Sequence, residues 1–278
     1  MGNSINTNVG AMIALQNLNV TNSQLATTQT RINTGLKVSS AKDNGAIWAI
    51  AQNQRSDVSA LEAVTDSLNR GKSTLDVAIS AAETISDLLN QMKAKALAAS
   101  DASLDTAART AMNEDFTALR DQIKKTVANA SFNGANLLKT AAANIYSLAD
   151  ASGTQKLTIQ AQIMALGAAG SVLTVTAAAA FTTMTTATAQ LSVVNSSITA
   201  VNAAIAKMGT ASKAYDLHSS FVAKLMDTMQ AGIGNLVDAD VAKESATLQA
   251  LQTKQQLGVQ ALGIANQSPQ VLLSLFRG

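Results

Sequence analysis

The chain has 278 residues, 47% of them hydrophobic but only 3% aromatic and 14% charged, with a net charge of +2, one proline and no cysteine. Apolar mass of this kind is mostly Ala, Leu, Ile and Val, suited to long helices packed side by side, and so few chain breakers argue against a loop-rich enzyme. The small net charge excludes a strong pull toward nucleic acid or acidic membranes, and the missing cysteines exclude disulfides and thiolate metal sites.

Charge is unevenly placed. Residues 1–30 carry no charged side chain and neither do residues 255–276, while 16 of the first thirty are Asn, Gln, Ser or Thr. Solvated helix faces normally carry Lys and Glu, so both ends are expected to bury against one another or against other copies of the chain. No cleavable secretory signal is legible. The basic n-region is missing, and the longest apolar run near the N-terminus, residues 9–15, has seven residues. Nothing approaches the roughly 18 consecutive apolar residues of a membrane span, so no membrane insertion is expected.

In chain order, Leu15, Leu18, Asn22, Leu25, Gln29, Ile32 and Leu36 are spaced 3-4-3-4-3-4. That spacing describes either a coiled-coil seam with Asn22 and Gln29 fixing register, or an amphipathic helix in a bundle. Residues 39–46 break the pattern at Asp43-Asn44-Gly45, which reads as a joint. A second helix is expected from Ala46 to about residue 100, with Val58, Leu61, Leu68, Leu75, Ala82 and Leu89 on one face. A third carries Met112, Phe116, Leu119, Ile123 and Val127 and ends at Asn133-Gly134. Trp48 marks the joint or a subunit contact, or else a local packing contact.

Residues 144–148 and 156–163 favour strands around an Asp150-Ala151-Ser152-Gly153 turn, a plausible β-hairpin. Residues 174–190 are low in complexity, with 13 of 17 being Ala or Thr, and are expected to form a surface excursion. A fourth helix is expected over residues 185–231, ending in a second joint at Gly232 and Gly234. Asp238 and Asp240 then sit where a helix N-terminus favours negative charge. The last helix presents Val241, Leu248, Leu251, Gln255 and Leu262, and Pro269 is expected to kink or end it. The fold class is therefore mainly α, a long coiled-coil-like bundle with a small β-hairpin in the middle.

Chemistry is thin. Gly71-Lys72-Ser73-Thr74 resembles the tail of a phosphate-binding loop, but position 66 is Asp66 and the surroundings read as continuous helix, so surface helix is the better account. His218 is the only histidine, which leaves no multi-histidine metal site. Asp238-Ala239-Asp240 lacks the further ligands and glycine of a calcium loop. Lys93, Lys95, Lys124 and Lys125 read as solvated helix faces. No catalytic, cofactor or metal site is expected, and the chain does not read as an enzyme.

The two ends resemble bacterial flagellins. Ile5-Asn6-Thr7-Asn8 opens as that family does. Arg31-Ile32-Asn33-Thr34-Gly35-Leu36-Lys37 followed by Ser40-Ala41-Lys42-Asp43-Asn44-Gly45-Ala46 is similar to its signature, as is Phe132-Asn133-Gly134 with Leu137-Leu138. Gln256-Leu257-Gly258-Val259-Gln260-Ala261-Leu262, then Ala265-Asn266-Gln267 and Leu272-Leu273-Ser274-Leu275-Phe276-Arg277, is similar to its tail. Asn44-Gly45-Ala46-Ile47-Trp48 and the short middle resemble the alphaproteobacterial branch.

The resemblance implies terminal helices (residues 1–38 and 232–278) that pair as an inner coiled-coil layer, D0. Residues 39–55 would be the joint and the start of the outer layer, D1, with its helical bundle over 56–231 and the hairpin and Ala/Thr-rich loop at about 140–184. It implies polymerisation with itself into the extracellular flagellar filament, export unfolded through the flagellar type III apparatus, and a chaperone, cap and hook-associated proteins as partners. In related flagellins protofilaments switch between two packings, and the hairpin is expected to contribute. Many flagellins carry an Arg-rich stretch that an animal innate immune receptor reads; the matching positions here are Gln91, Ala94 and Lys95, which implies weak recognition. A hook-associated junction protein, or another secreted helical structural protein, is the alternative, although those usually carry a larger middle. A coiled-coil chemoreceptor fragment would need charged heptads that the ends lack.

Overall fold

The computed structural model describes the backbone of residues 7–275 and the side chains of residues 7–267. The opening Ile5-Asn6 and the side chains of Pro269 and of residues 272–277 lie outside the described residues. In chain order the elements are α1 (Val9–Thr34), α2 (Gly45–Ala99), α3 (Thr106–Asn129), β1 (Ile145–Leu148), β2 (Lys156–Ile159), α4 (Met184–Val237) and α5 (Val241–Leu275). They form two compact units, one from residues 1–56 and 228–278, the other from residues 57–227. No helix among the described residues is long and apolar enough to cross a membrane.

The central unit follows its periodicity. Leu61, Leu68, Leu75, Ala82 and Leu89 of α2 are all buried, as are Ile85 and Met92 between them. Phe116, Ile123 and Val127 of α3 and Val194, Val201 and Met208 of α4 complete the same core. A period near 3.5 over such lengths keeps one stripe of each helix facing its neighbours. Between α2 and α3 the Arg109 guanidinium donates to the carbonyls of Ala99, Asp101 and Leu104 at 3.0–3.2 Å. These include carbonyls a helix end leaves without partners. Asp105 caps α3 by accepting from Ala108 N at 2.7 Å.

After α3, Asn133 and Gly134 take φ of 48° and 79° inside a tight turn closed by the Phe132–Ala135 bridge. Left-handed backbone at both central positions is why Asn-Gly serves there. The hairpin is antiparallel, with Ile145 opposite Ile159 and Leu148 opposite Lys156. Its turn is organised by the Asp150 carboxylate, which accepts from Ser152 Oγ, Thr154 Oγ1 and Gln155 N. Strand β2 stops at Ile159, four residues short of the expected 163. The chain beyond it still hydrogen-bonds through Gln162 N and Met164 N to the carbonyls of Leu137 and Leu138.

The Ala/Thr-rich stretch is not a surface excursion. Val175, Ala179 and Phe181 are buried, and so is Ser197 beneath them. Ser197 Oγ accepts from the backbone N–H groups of Thr174 and Val175. Asn113 Oδ1 accepts from Phe181 N, and Arg120 donates to the Ala179 carbonyl. Phe181 packs edge-on against Phe116 at 5.1 Å between ring centroids. Low complexity hid these anchors: the Phe181 ring packs on Phe116, and three polar side chains on neighbouring helices, Ser197, Asn113 and Arg120, satisfy a backbone that composition alone leaves unpartnered.

Phe181→Ala is expected to lower the stability of the chain by about 3–5 kcal/mol, because it empties a closed aromatic site. Phe181→Leu should cost less. Urea unfolding followed by circular dichroism checks both, and a loss under about 1 kcal/mol for the alanine variant contradicts this anchoring.

Candidate assembly site

Helices α1 and α5 come from opposite ends of the chain and pair along their length. Asn8 starts α1, its Oδ1 accepting from Ala11 N at 3.0 Å while its Nδ2 donates to the Ala265 carbonyl of α5 at 2.7 Å. On α1 the less exposed positions include Ala11, Ala14, Leu18, Thr21, Leu25, Thr28 and Ile32, with Thr21 and Thr28 buried. On α5 they include Glu244, Leu248, Leu251, Gln255, Gly258, Leu262 and Ala265, with Leu251 buried. Both lists alternate 3 and 4, the interval of a coiled-coil seam.

Leu18, Leu25 and Ile32 of the α1 spacing, and Leu248, Leu251, Gln255 and Leu262 of the α5 spacing, are among these less exposed positions. Leu15, Asn22 and Gln29 lie one position to the side and are exposed, Leu15 by 49%. At those points the inward residues are Ala14, Thr21 and Thr28, one position before the expected ones. A threonine buries readily on a helix when its hydroxyl bonds back to the preceding turn, as Thr21 Oγ1 does to the Asn17 carbonyl at 2.8 Å. Asn22 still serves the pair from its flank, accepting from Gln255 Nε2 at 2.7 Å. Gly258 went unnoticed: a Cβ there would sit 3.3 Å from Leu18 Cδ1, so its smallness lets the helices close up. Val241 starts α5 and is 47% exposed. Pro269 does not end α5, which continues to Leu275.

The joints differ from expectation in detail. Gly35 caps α1 with φ of 69°, and Leu36 lies past the helix end, bridged to Asp238. Lys37 N and Val38 N donate to the Val237 carbonyl, and Ala239 N donates to the Gly35 carbonyl. Asp43 Oδ2 accepts from both backbone and hydroxyl groups of Ser39 and Ser40 at 2.9–3.2 Å. Asn44 Oδ1 accepts from Ile47 N, so Asn44 caps α2, which begins at Gly45. Gly232 and Gly234 form no joint. They lie inside α4, and the break falls at residues 238–240. Gly234 serves by absence, since a Cβ there would meet the Asp238 carboxylate at 2.7 Å. Asp240 caps α5 through Lys243 N, and the first charged side chain in the chain, Arg31, pairs with Glu244 at 3.1 Å.

Outward from this seam Val9, Met12, Ile13 and Val20 of α1, and Leu257, Val259 and Ile264 of α5, are 50–72% exposed. No charged residue stands among them between positions 9 and 30 or between 255 and 267. A groove of about 550 Å³ runs between the helices, floored by Gly10, Ala14, Gly258 and Ala261 and walled by Ile13 and Leu257.

Comparison with known proteins agrees with this organisation. Residues 5–143 match the model of the bacterial flagellin N-terminal helical region, and residues 191–276 match the C-terminal helical region. The chain is 54% identical to flagellin FljK of Caulobacter vibrioides over 99% of both chains. It is 38% identical to a flagellin of Brucella melitensis and 36% identical to flagellin C of Rhizobium meliloti, again over 99% of each. The chain belongs to the bacterial flagellin family. It is of the alphaproteobacterial type, a structural subunit of the extracellular flagellar filament.

The remaining residues singled out in this flagellin fall on helices. Gln91 and Ala94 are exposed on α2, and Lys95 is paired with Asp115 of α3 at 2.6 Å. Gly71, Lys72, Ser73 and Thr74 lie mid-helix; Lys72 pairs with Asp216, and both hydroxyls bond back to the preceding turn. His218 Nε2 lies 2.8 Å from the Ala149 carbonyl. Among the described residues no three His, Cys, Asp or Glu side chains cluster as metal ligands would.

The backbone N–H of Ser40 and the hydroxyl of Ser39 hold the Asp43 carboxyl below its ordinary 3.8. A depressed folded pKa means the turn is fully supported above the ordinary value and loses that support as pH falls through the lower one. Amide resonances of Ser39 and Ser40 are expected to titrate with a midpoint below 3.8 and to lose the transition in Asp43→Ala. A midpoint at or above 3.8 contradicts this.

Proposed function

We propose that the α1/α5 pair is the polymerising surface of this flagellin, and that its seam residues act in sequence. Leu18, Thr21, Leu25, Thr28 and Ile32 close on Leu248, Leu251 and Leu262 within one subunit. The outward residues, Val9, Met12, Ile13, Leu257, Val259 and Ile264, are then covered by neighbouring copies. The observation that carries this reading is the exposed apolar surface on the stretches of the pair, residues 9–30 and 255–267, that carry no charge to solvate it. Each square ångström so covered contributes about 25 cal/mol. Heterologous contacts of this kind give an open helical filament when their rotation does not close.

The two compact units support a division into a D0 part, residues 1–38 with 232–278, and a D1 part over 56–231 joined through 39–55. Export proceeds with the chain unfolded, and a chaperone covers the uncharged C-terminal helix until release. The cap and hook-associated proteins receive the same helices at the filament ends. The role is structural without catalysis: the lone histidine faces a main-chain carbonyl, and Lys72 is held by Asp216. The hairpin over residues 145–159 adjusts how D1 parts pack, and thereby the curvature of the filament, since bistable packing is a route to switching.

Leu18→Asp and Leu262→Asp are each expected to abolish polymerisation while the central unit keeps its helical circular dichroism. Filaments of normal length from either variant, seen by electron microscopy, sink the proposal. The immune-receptor reading has its own test. With Gln91, Ala94 and a paired Lys95 on that face of α2, purified monomer is expected to give a weak or absent response in a receptor-reporter assay. A response equal to that of an Arg-bearing flagellin overturns it.

A further inference from the structure

The hairpin is tied to the helices of the central unit by few bonds, and one side chain touches both strands. Tyr215 of α4 is 1% exposed, and its hydroxyl lies 3.0 Å from Ser147 Oγ on β1 and 3.0 Å from the Leu157 carbonyl on β2. Ser147 is itself buried, at 2%. Two further ties hold only the turn-side end of the first strand: Ser67 Oγ accepts from Leu148 N, and His218 Nε2 meets the Ala149 carbonyl. Burial pushes the Tyr215 phenol above its usual pKa of 10, which keeps the hydroxyl protonated and able to donate.

Room for this arrangement comes from α2. Gly71 sits directly opposite: a Cβ there would fall 2.3 Å from Ser147 Oγ and 2.8 Å from Tyr215 Cε1. Both distances are shorter than real contacts, so any side chain at 71 must displace the ring or the strand. Glycine in a helix interior is otherwise unfavourable relative to alanine. Its presence in the middle of a 55-residue helix is accounted for by what stands against it.

We propose that Tyr215, seated in the gap left by Gly71, is the positioning residue of the hairpin, fixing where both strands ride on α2 and α4 and so selecting the helical form of the filament. The effect on filament form rests on the role given to the hairpin under Proposed function. The positioning itself does not, because it acts within one subunit. The hydroxyl oxygen is within hydrogen-bond reach of both strands, so removing it frees both at once. A buried neutral hydrogen bond lost from each strand is enough to turn the hairpin into a separately opening segment.

The test uses the full-length chain. In Tyr215→Phe, amides of residues 145–148 and 156–159 are expected to exchange about tenfold faster in monomer, with those of α2 and α4 within about twofold of wild type. Gly71→Ala is expected to act in the same direction although alanine favours the helix. Adding Ser147→Ala removes the nearest clashing atom and is expected to restore much of the protection. Filaments of Tyr215→Phe are expected in normal yield with altered pitch or curvature. Unchanged hairpin exchange in Tyr215→Phe, or equal acceleration across the helices, overturns the positioning role. Unchanged exchange in Gly71→Ala overturns the part assigned to Gly71. Faster hairpin exchange with an unaltered filament keeps the positioning role and overturns the hairpin's part in filament form.

Discussion

Pairing of α1 with α5 is the constraint on which the terminal unit depends, because it joins segments more than 200 residues apart. The Asn22–Gln255 bond spans 233 residues and the Asn8–Ala265 bond 257. A seam made late from the two extremes of a chain cannot rely on local propensity alone, since contacts of such separation carry a high loop-closure cost. It is built accordingly from small or aliphatic residues, where Thr21, Thr28, Gly258 and Ala265 permit close approach and two amide pairs hold register. A two-helix pair uncharged over residues 9–30 and 255–267 also has only one inner face. Its outer residues are apolar and exposed, and in the function proposed above a polymer completes the pair.

The segments entering the pair are held with equal care. Residues 35–38 and 237–239 exchange backbone hydrogen bonds, Arg31 meets Glu244 just above them, and Asp43 gathers the serines that lead into α2. None of these bonds is strong alone; an exposed ion pair contributes little. Together they set the phase at which α1 and α5 leave the connecting segments, and in a seam of period 3.5 phase decides which side chains face inward. The charges that do appear at the ends of the uncharged stretches are therefore used to align them.

Much of this was legible in the sequence, and the failures have physical causes. The core stripes of α2, α3 and α4 were readable because buried apolar residues recur at helical spacing over many turns. The α5 seam was readable for the same reason. The α1 seam was half misread because threonine and alanine share it with leucine, and hydrophobicity does not distinguish a threonine bonded to its own helix from one facing water. Gly232 and Gly234 read as a break because glycine usually marks one; here the helix runs through them, and the close approach of Asp238 explains one of the two. The Ala/Thr-rich segment was misplaced because its partners, Asn113, Arg120 and Ser197, lie on other elements, where composition of the segment itself says nothing about them.

The scarcity of aromatic residues carries a lesson of its own. With five phenylalanines, two tyrosines and one tryptophan in the chain, rings are not the bulk of this core; aliphatic stripes fill it. Among the described residues, the large aromatics that are fully buried, Phe116, Phe181 and Tyr215, all stand where non-helical chain meets helix. Phe116 and Phe181 lock the Ala/Thr-rich segment to α3, and Tyr215 reaches both strands of the hairpin. Straight helices packed by alanine and leucine need no such anchors, because each turn repeats the last. A hairpin or a loop of low complexity has no repeat to rely on, and one large, directional side chain fixes it where many small contacts would let it slide. In a chain this repetitive, the rare ring marks the place where position has to be chosen.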